Sequence, residues 1–341
     1  MNLLDLTASE MTDLMLQLNE KKYRAAQLMK WLSAGSRFDE MTNIPDSLKN
    51  KLKELGYHEG ILEKKEVLES QDGTKKYLLS LEDGLDIECV IMINNYGNTL
   101  CISSQVGCSM RCAFCASGKY GKERDLTPGE MLGQFITVNR DLGKGRNIKN
   151  IVVMGMGEPF DNYDNLISFL KSATSPDYLA ISVRDISVST CGIPDRIRAF
   201  AEENIPVNLC LSLHAAFDEK RVKIMPTAKK YHLCDILKAS EIYYNSNHRR
   251  IIVEYILIKG FNDSDADVKG LKHILSGLNC HINVIRLNDN DGVFEAPSKS
   301  QTYAFVSKLE KEGLSATVRM SHGSDILGAC GQLRNKNHGE N

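Results

Sequence analysis

The sequence predicts an α/β protein: an open, partial βα-barrel of about six units behind a small N-terminal helical region. Three observations predict it. From residue 99 onward, short β-rich apolar runs alternate with amphipathic stretches at helical spacing, the pattern of parallel strands joined by right-handed crossovers. The residues just after successive runs are glycines or polar groups, as expected where the carboxyl ends of strands converge on a ligand. Before residue 60 the apolar spacing is helical throughout. About six units are too few to close an eight-unit barrel, and a doubly wound sheet is the second choice.

The first region spans residues 1–60. Leu3, Leu4 and Leu6, then Met11, Leu14 and Leu18, give an apolar face that "YRAAQLMKWL" continues. "NIPDSLKNKLKELG" opens on Pro-Asp and stops on Gly. Over residues 61–98 the period changes. "KKYLLSLEDGLDIECVIMI" alternates about Asp83-Gly84, a hairpin signal, and marks a β-hairpin extension.

The core region runs from 99 to 320. "TLCISSQ" leads into a cysteine loop and a helix over Thr127–Leu142; "NIVVMGMGEP" precedes a helix near Asn165–Ala173. "DISVST" precedes a helix from Pro194, and "PVNLCLSLHA" one near Cys234–Tyr244. "RIIVEYILIKG" and "HINVIRLN" precede helices near Ala266–Ser276 and Ser298–Glu312, and "ATVRMS" comes last. Residues 321–341 form a C-terminal loop. The strand ends "GMGEP", "STCG", "SLHA", "IRLN" and "SHGSD", with the cysteine loop, would meet on one face of the barrel.

Composition narrows the class. The 341 residues, 42% hydrophobic and 25% charged, suit a globular protein with a sizeable core. A net charge of −2 supplies no global attraction for nucleic acid, so an RNA partner would need local basic patches. Candidates are Lys119, Lys122 and Arg124, "GKGRNIK" (143–149), "KRVK" (220–223) with Lys229 and Lys230, and Arg249 with Arg250. The N-terminus lacks the basic and unbroken apolar regions of a signal peptide, and no segment approaches a membrane span. Ten irregularly spaced cysteines favour a reducing cytoplasm. Cys89, Cys210, Cys234 and Cys280 read as small buried hydrophobes.

Cys108, Cys112 and Cys115 are different, because three thiols lie within eight residues. Structural zinc takes four ligands, and the loop offers neither a second cysteine pair nor a histidine. Cys101 could be a fourth ligand, but its strand should lead away from the loop. An iron–sulfur cluster is held by thiolates, and three would leave one iron open for a substrate bearing an amine and a carboxylate.

The spacing Cys-x3-Cys-x2-Cys with Phe114 before the last cysteine, and "GMGEP" on the next strand, resembles the radical S-adenosylmethionine (SAM) enzymes. Through "YRAAQLMKWL", "LCISSQVGC", "CAFCASG", "VVMGMGEP", "NYDN", "SLHA" and "GSDILGACGQL" the chain resembles the radical-SAM RNA adenine methyltransferases, the RlmN/Cfr family, over nearly its whole length.

The resemblance implies that Cys108, Cys112 and Cys115 ligate a [4Fe-4S] cluster. It implies a SAM pocket made by Gly157, Glu158, Ser189, Ser212, Leu213, His214 and Asn288. Adenine ring carbons are too weakly nucleophilic to take a methyl group from SAM directly, whereas a thiolate can. In this family's route Cys330 would accept that methyl. A second SAM, reductively cleaved to a 5′-deoxyadenosyl radical, would remove hydrogen from it, and the carbon radical would add to adenine. Glu88 would take the ring proton. Cys101 would attack the Cys330 sulfur and release the product, leaving a disulfide.

The implied reaction is methylation of adenine C2 in 23S rRNA and tRNA by a cytoplasmic monomer. Two SAM would be used per turnover, with an electron donor such as flavodoxin or ferredoxin and no membrane partner. "GEPFDNYDN" and "YRAAQLMKWL" resemble the C2 branch, whereas Arg286 resembles the branch that methylates C8 and confers ribosomal antibiotic resistance. The residues 1–60 resemble the family's accessory RNA-binding domain. A zinc-stabilised RNA-binding protein without catalytic activity is the reading of another class.

Overall fold

The computed structural model describes residues 1–94, 97–143, 148–288 and 292–333. Three helices come first: α1 (Ala8–Gln17), α2 (Tyr23–Ser33) and α3 (Asp46–Glu54). Thr7 caps α1 by accepting from the Glu10 N–H while the Glu10 carboxylate accepts from the Thr7 N–H. Met11, Leu14, Leu28, Leu32, Leu48 and Leu52 face inward and are buried.

The strands β1 (Glu63–Glu69), β2 (Lys75–Ser80), β3 (Asp86–Met92) and β4 (Asn98–Ile102) pair antiparallel in sequence. The expected hairpin is the β2–β3 pair; β1 adds a third strand, and all three extend the barrel sheet. A small ribbon, β5 (Gln105–Gly107) with β6 (Lys122–Asp125), brackets the cysteine loop. The crossovers then follow: α4 (Pro128–Leu142), β7 (Ile148–Val153), α5 (Tyr163–Thr174), β8 (Ile186–Thr190), α6 (Pro194–Glu202) and β9 (Asn208–Ser212). After them come α7 (Asp218–Ile224), α8 (Leu233–Asn247), β10 (Ile251–Leu257), α9 (Asp265–Ile274), β11 (Cys280–Arg286), α10 (Lys299–Lys311) and β12 (Ala316–Arg319).

The main sheet runs β1-β2-β3-β4-β7-β8-β9-β10-β11-β12, and from β4 onward every pairing is parallel. This is the open, partial barrel expected from the sequence. Side chains alternate across it with period two. One face carries Leu100, Ile102, Ile151, Val188, Leu211, Val253 and Val284, which pack under the helices in one hydrophobic core. The opposite, inner face carries Glu88, Val90, Cys101, Ser189, Ser212, Glu254, Asn283, Ile285 and Arg319. The register confirms the grouping: Val90 pairs with Cys101, Glu254 with both Ser212 and Asn283, and Ile285 with Arg319.

The N-terminal helices belong to the same core as the barrel. Polar ties reinforce the contact: Asp5 accepts from the Gly129 N–H at 2.7 Å, the Tyr178 hydroxyl donates to Leu6 O at 2.5 Å, and Arg140 pairs with Glu40. Among the described residues no helix is long and apolar enough to cross a membrane.

Candidate active site at the carboxyl ends of the parallel strands

The cysteine loop closes over the inner face because several backbone bonds hold it there. The Cys108 N–H donates to Gly121 O across the β5–β6 ribbon, and the Ala113 N–H donates to Ile224 O at the end of α7. The loop's apolar residues Met110, Cys112 and Phe114 pack on Cys191, Ile224, Met225 and Ile256. β4 runs directly toward this loop through Gln105, so the expected direction of the Cys101 strand is reversed.

Cys108, Cys112 and Cys115 line one cavity of about 140 Å³ with Gly157, Glu158, Ser189, Ser212 and His214. Burial drives all three thiols upward in pKa, Cys108 to about 12, and the neighbouring thiols push Cys112 further. A bound cation reverses that balance and favours the thiolates. Among the described residues no three donors close around a single ion, as a structural zinc site would require. Three soft thiols on one cavity wall suit an iron–sulfur cluster, in which each thiolate binds a different iron.

Beside the thiols, Gly157 has φ of 104°, and a Cβ there would lie 2.6 Å from the Gln105 side chain. Glu158 is buried and ties two strand ends together, accepting from the Phe160 N–H at 3.0 Å and the Cys191 N–H at 2.7 Å. Burial raises its pKa. The Ser189 and Ser212 hydroxyls lie 3.2 Å apart. His214 has φ of 57°, accepts at Nδ1 from the Ile256 N–H at 3.1 Å, and meets Phe114 edge-on at 4.9 Å. Burial, then the Arg221 charge, lowers its pKa to about 3, so the imidazole is neutral with its proton on Nε2.

Two predicted pocket residues sit differently. The Leu213 side chain is fully buried in the core, leaving only its backbone near the site. Asn288 lies outside the thiol cavity and donates to Cys330 O at 3.2 Å, so it braces the C-terminal loop.

A second cavity, of about 280 Å³, is lined by Cys101, Val90, Met92, Ser117, His322 and Cys330. Cys115, Met154, Gly155, Ile285, Arg319, Cys330 and Gly331 line both spaces, so Cys330 stands in the wall between them. Its loop is pinned from several sides. The Ala116 N–H donates to Gly331 O at 2.7 Å, and the Ser117 hydroxyl donates to Leu333 O at 2.6 Å. The β1–β2 turn holds the preceding residues through Ser70 to Asp325 and the Gly323 N–H to Asp72.

Arg319, unpredicted as a site residue, lies in the shared wall with one guanidinium nitrogen 3.2 Å from Glu254. Its neighbours Cys330 and Glu254 favour its protonated form, against the opposing effect of burial. Burial raises the Cys101 thiol to about 12, with Cys330 adding to it. All ten cysteines are unpaired; Cys234 is exposed and Cys280 partly so, against the buried reading.

Glu88 faces the same side of β3 as Val90 and Met92, which line the second cavity. Its carboxylate is buried against Lys76, with Nζ 3.2 Å from an oxygen, and is not part of the cavity wall.

The nominated basic patches fare unevenly. Lys122 pairs with Asp125 and Asp161, Arg124 with Asp83 and Glu130, and Lys220 with Asp267. Arg221 is fully buried and donates to the carbonyls of Leu213, Ser212, Cys191 and Tyr231. Arg249 and Arg250 donate to Asn208 and to Cys280 O. These side chains serve the fold, while Lys223, Lys229 and Lys230 remain exposed. Residues 144–147 of "GKGRNIK" lie outside the described residues.

Comparison with known proteins agrees with this arrangement. Residues 1–57 match the family described as Ribosomal RNA large subunit methyltransferase N-terminal domain, and residues 102–269 match the Radical SAM superfamily. A "Probable dual-specificity RNA methyltransferase RlmN" from Clostridioides difficile (strain 630) is 45% identical, covering 97% of this chain and 96% of its own. A protein of the same description from Thermoanaerobacter sp. (strain X514) is 45% identical, covering 98% of each. The crystal structure of a radical SAM methyltransferase from Sphaerobacter thermophilus matches with a TM-score of 0.94 and 37% identity, covering 98% of this chain and 99% of that one. A fold of this kind works with SAM and a [4Fe-4S] cluster, which the thiols and cavity fit. Similar from end to end in sequence and structure, the chain belongs to the RlmN family of radical SAM RNA methyltransferases.

Proposed function

We propose that this enzyme methylates C2 of an adenine in 23S rRNA and in tRNA through an S-methylcysteine at Cys330, using two SAM per turnover. The observation that carries the reading is the position of Cys330 in the wall between the thiol-lined cavity and the one holding Cys101. The two RNA targets are supported by the description of the relatives as dual-specificity.

Cys108, Cys112 and Cys115 would hold a [4Fe-4S] cluster, which would supply the electron that activates SAM, itself the source of both the methyl group and the hydrogen acceptor. The Cys330 thiolate attacks the SAM methyl carbon, forming a C–S bond as S-adenosylhomocysteine leaves. Gly157, Glu158, Ser189, Ser212 and His214 shape the SAM pocket, with the Leu213 backbone beside it, while Asn288 braces the Cys330 loop. Neutral His214 offers a donor at Nε2 without adding charge. Once the methyl-derived carbon has joined the ring and the adduct radical has given up one electron, which the cluster would take back, Glu88 takes the ring proton. Cys101 then attacks the Cys330 sulfur; the S–S bond forms as the C–S bond breaks, and the carbon keeps that electron pair and takes up a proton to become the methyl group of the free base.

The adenine must be in a loop or flipped out, since a paired base does not present C2 to a thiol set in a cavity wall. Residues 1–60 act as the accessory RNA-binding domain. The enzyme works as a cytoplasmic monomer reduced by flavodoxin or ferredoxin.

Anaerobically prepared protein should be brown, with iron and sulfide each near four per chain; a colourless zinc protein would overturn the reading. Mass spectrometry of adenosine from treated 23S rRNA and tRNA should show 2-methyladenosine. An 8-methyl product would instead assign the enzyme to the branch that Arg286 resembles.

A further inference from the structure

A third cavity, of about 480 Å³, lies on the other side of the Cys330 loop, between the ends of β11 and β12 and the first turns of α10. Arg286, Lys299 and Arg319 line it, together with Tyr303, Ser321 and Asn288, and among the described residues its lining contains no carboxylate. Arg286 and Lys299 are exposed, and among the described residues neither has a carboxylate partner. Arg286 is held in place by donating from Nε to Pro297 O at 2.6 Å, which leaves the rest of its guanidinium for another partner. Tyr303 is 56% exposed, and Met320 beside it is 66% exposed. This pattern contrasts with Lys122, Arg124 and Lys220, whose charges are already met within the chain.

The groove is continuous with the reaction site. It shares Arg319 with both other cavities and Met320 and Ser321 with the one holding Cys101 and Cys330. Asn288, in its wall, also holds the Cys330 carbonyl. A strand whose adenine reaches Cys330 therefore has a cationic, aromatic-edged trough beside it, in a chain whose net charge is −2. Phosphates favour unpaired cations, and exposed aromatic rings stack on unpaired bases.

We propose that this groove binds the RNA strand flanking the target adenine, with Arg286 and Lys299 on phosphates and Tyr303 stacked on a neighbouring base. The inference rests on the RNA methyltransferase reading above, and its test separates the two. Binding of protein-free 23S rRNA is measured between 50 and 200 mM salt for the wild type, for Arg286→Gln/Lys299→Gln, for Arg286→Lys and for Tyr303→Ala. Loss of two single-strand phosphate contacts should reduce the log–log salt slope by about 1.4. Tyr303→Ala should weaken binding by about 5- to 150-fold with its slope unchanged. Arg286→Lys should retain the wild-type slope, as should Lys238→Gln, an exposed control on α8 outside the groove. Wild-type binding and methylation with unaltered slope in the double variant would overturn the groove assignment alone. A wild type that neither binds nor methylates RNA would overturn the underlying reading and the groove with it. Both substituted cations are exposed, and an unchanged unfolding temperature checks that the variants fold alike.

Discussion

Cys330 and Cys101 are distant in the chain yet line one cavity, and each has a distinct expected phenotype. Cys330→Ala should yield no methylated RNA. Cys101→Ala should accumulate a covalent protein–RNA adduct, visible as a retarded band that nuclease removes; an RNA-free band after turnover would exclude its releasing role. His214 offers a test by pH. Its folded pKa of about 3 lies below the ordinary 6.5, so the unfolded chain binds the extra proton. The resulting stability is complete above about pH 6.5 and is lost as pH falls toward 3. Between pH 7 and 5 the wild type should lose about 2 kcal/mol more than His214→Gln, measured by urea unfolding at both pH values. At this scale the motif thiols were legible because their spacing is local. Arg221 was misread as a surface cation in "KRVK", because sequence shows its charge but not the four carbonyls around it.

Elements were legible wherever their own residues decide them. Thr127 and Glu130 cap α4 reciprocally, and α10 begins on a matching Ser298–Gln301 box, so both starts could be read directly. The strand β6, "KERD", could not, since four charged residues adopt it only to pair with β5. The ends of β8 and β9 show what holds the site in place. The Arg221 guanidinium, carried by α7, joins the carbonyls of Cys191 after β8 and Ser212 at the end of β9. Arg221→Met would leave these buried acceptors without a donor. It should cost at least about 3 kcal/mol, seen as a lower unfolding temperature, together with weaker SAM binding in equilibrium dialysis. Unchanged values for both would exclude the tethering role.

Across the whole molecule, the helices before residue 60 and the barrel share one core. The sequence boundary is real as a change of period, yet Leu3, Leu4, Met131 and Leu132 are all fully buried in that common core. Trp31, the single tryptophan, packs against it from α2 and reports on the N-terminal helices alone. Its fluorescence and the far-ultraviolet circular dichroism should therefore follow the same urea transition. A Trp31 transition at clearly lower urea would make the helices a separately unfolding unit. Removing residues 1–57 should uncover the apolar face of α4 and give aggregated protein on size-exclusion chromatography.

The sequence by itself determined the order of the barrel's parallel strands, because the periods of two and 3.6 residues are written locally. It also determined the thiol loop, whose three cysteines lie within eight residues. Tertiary structure alone decided which side chains meet. Strand alternation and register bring Cys101, Glu254 and Arg319 to the inner face and the pinned C-terminal loop sets Cys330 beside them, while Lys122, Arg124 and Arg221 are consumed by internal partners. Charge and burial are properties of neighbours in space, so the cationic groove beside Cys330 emerged only once the chain was folded.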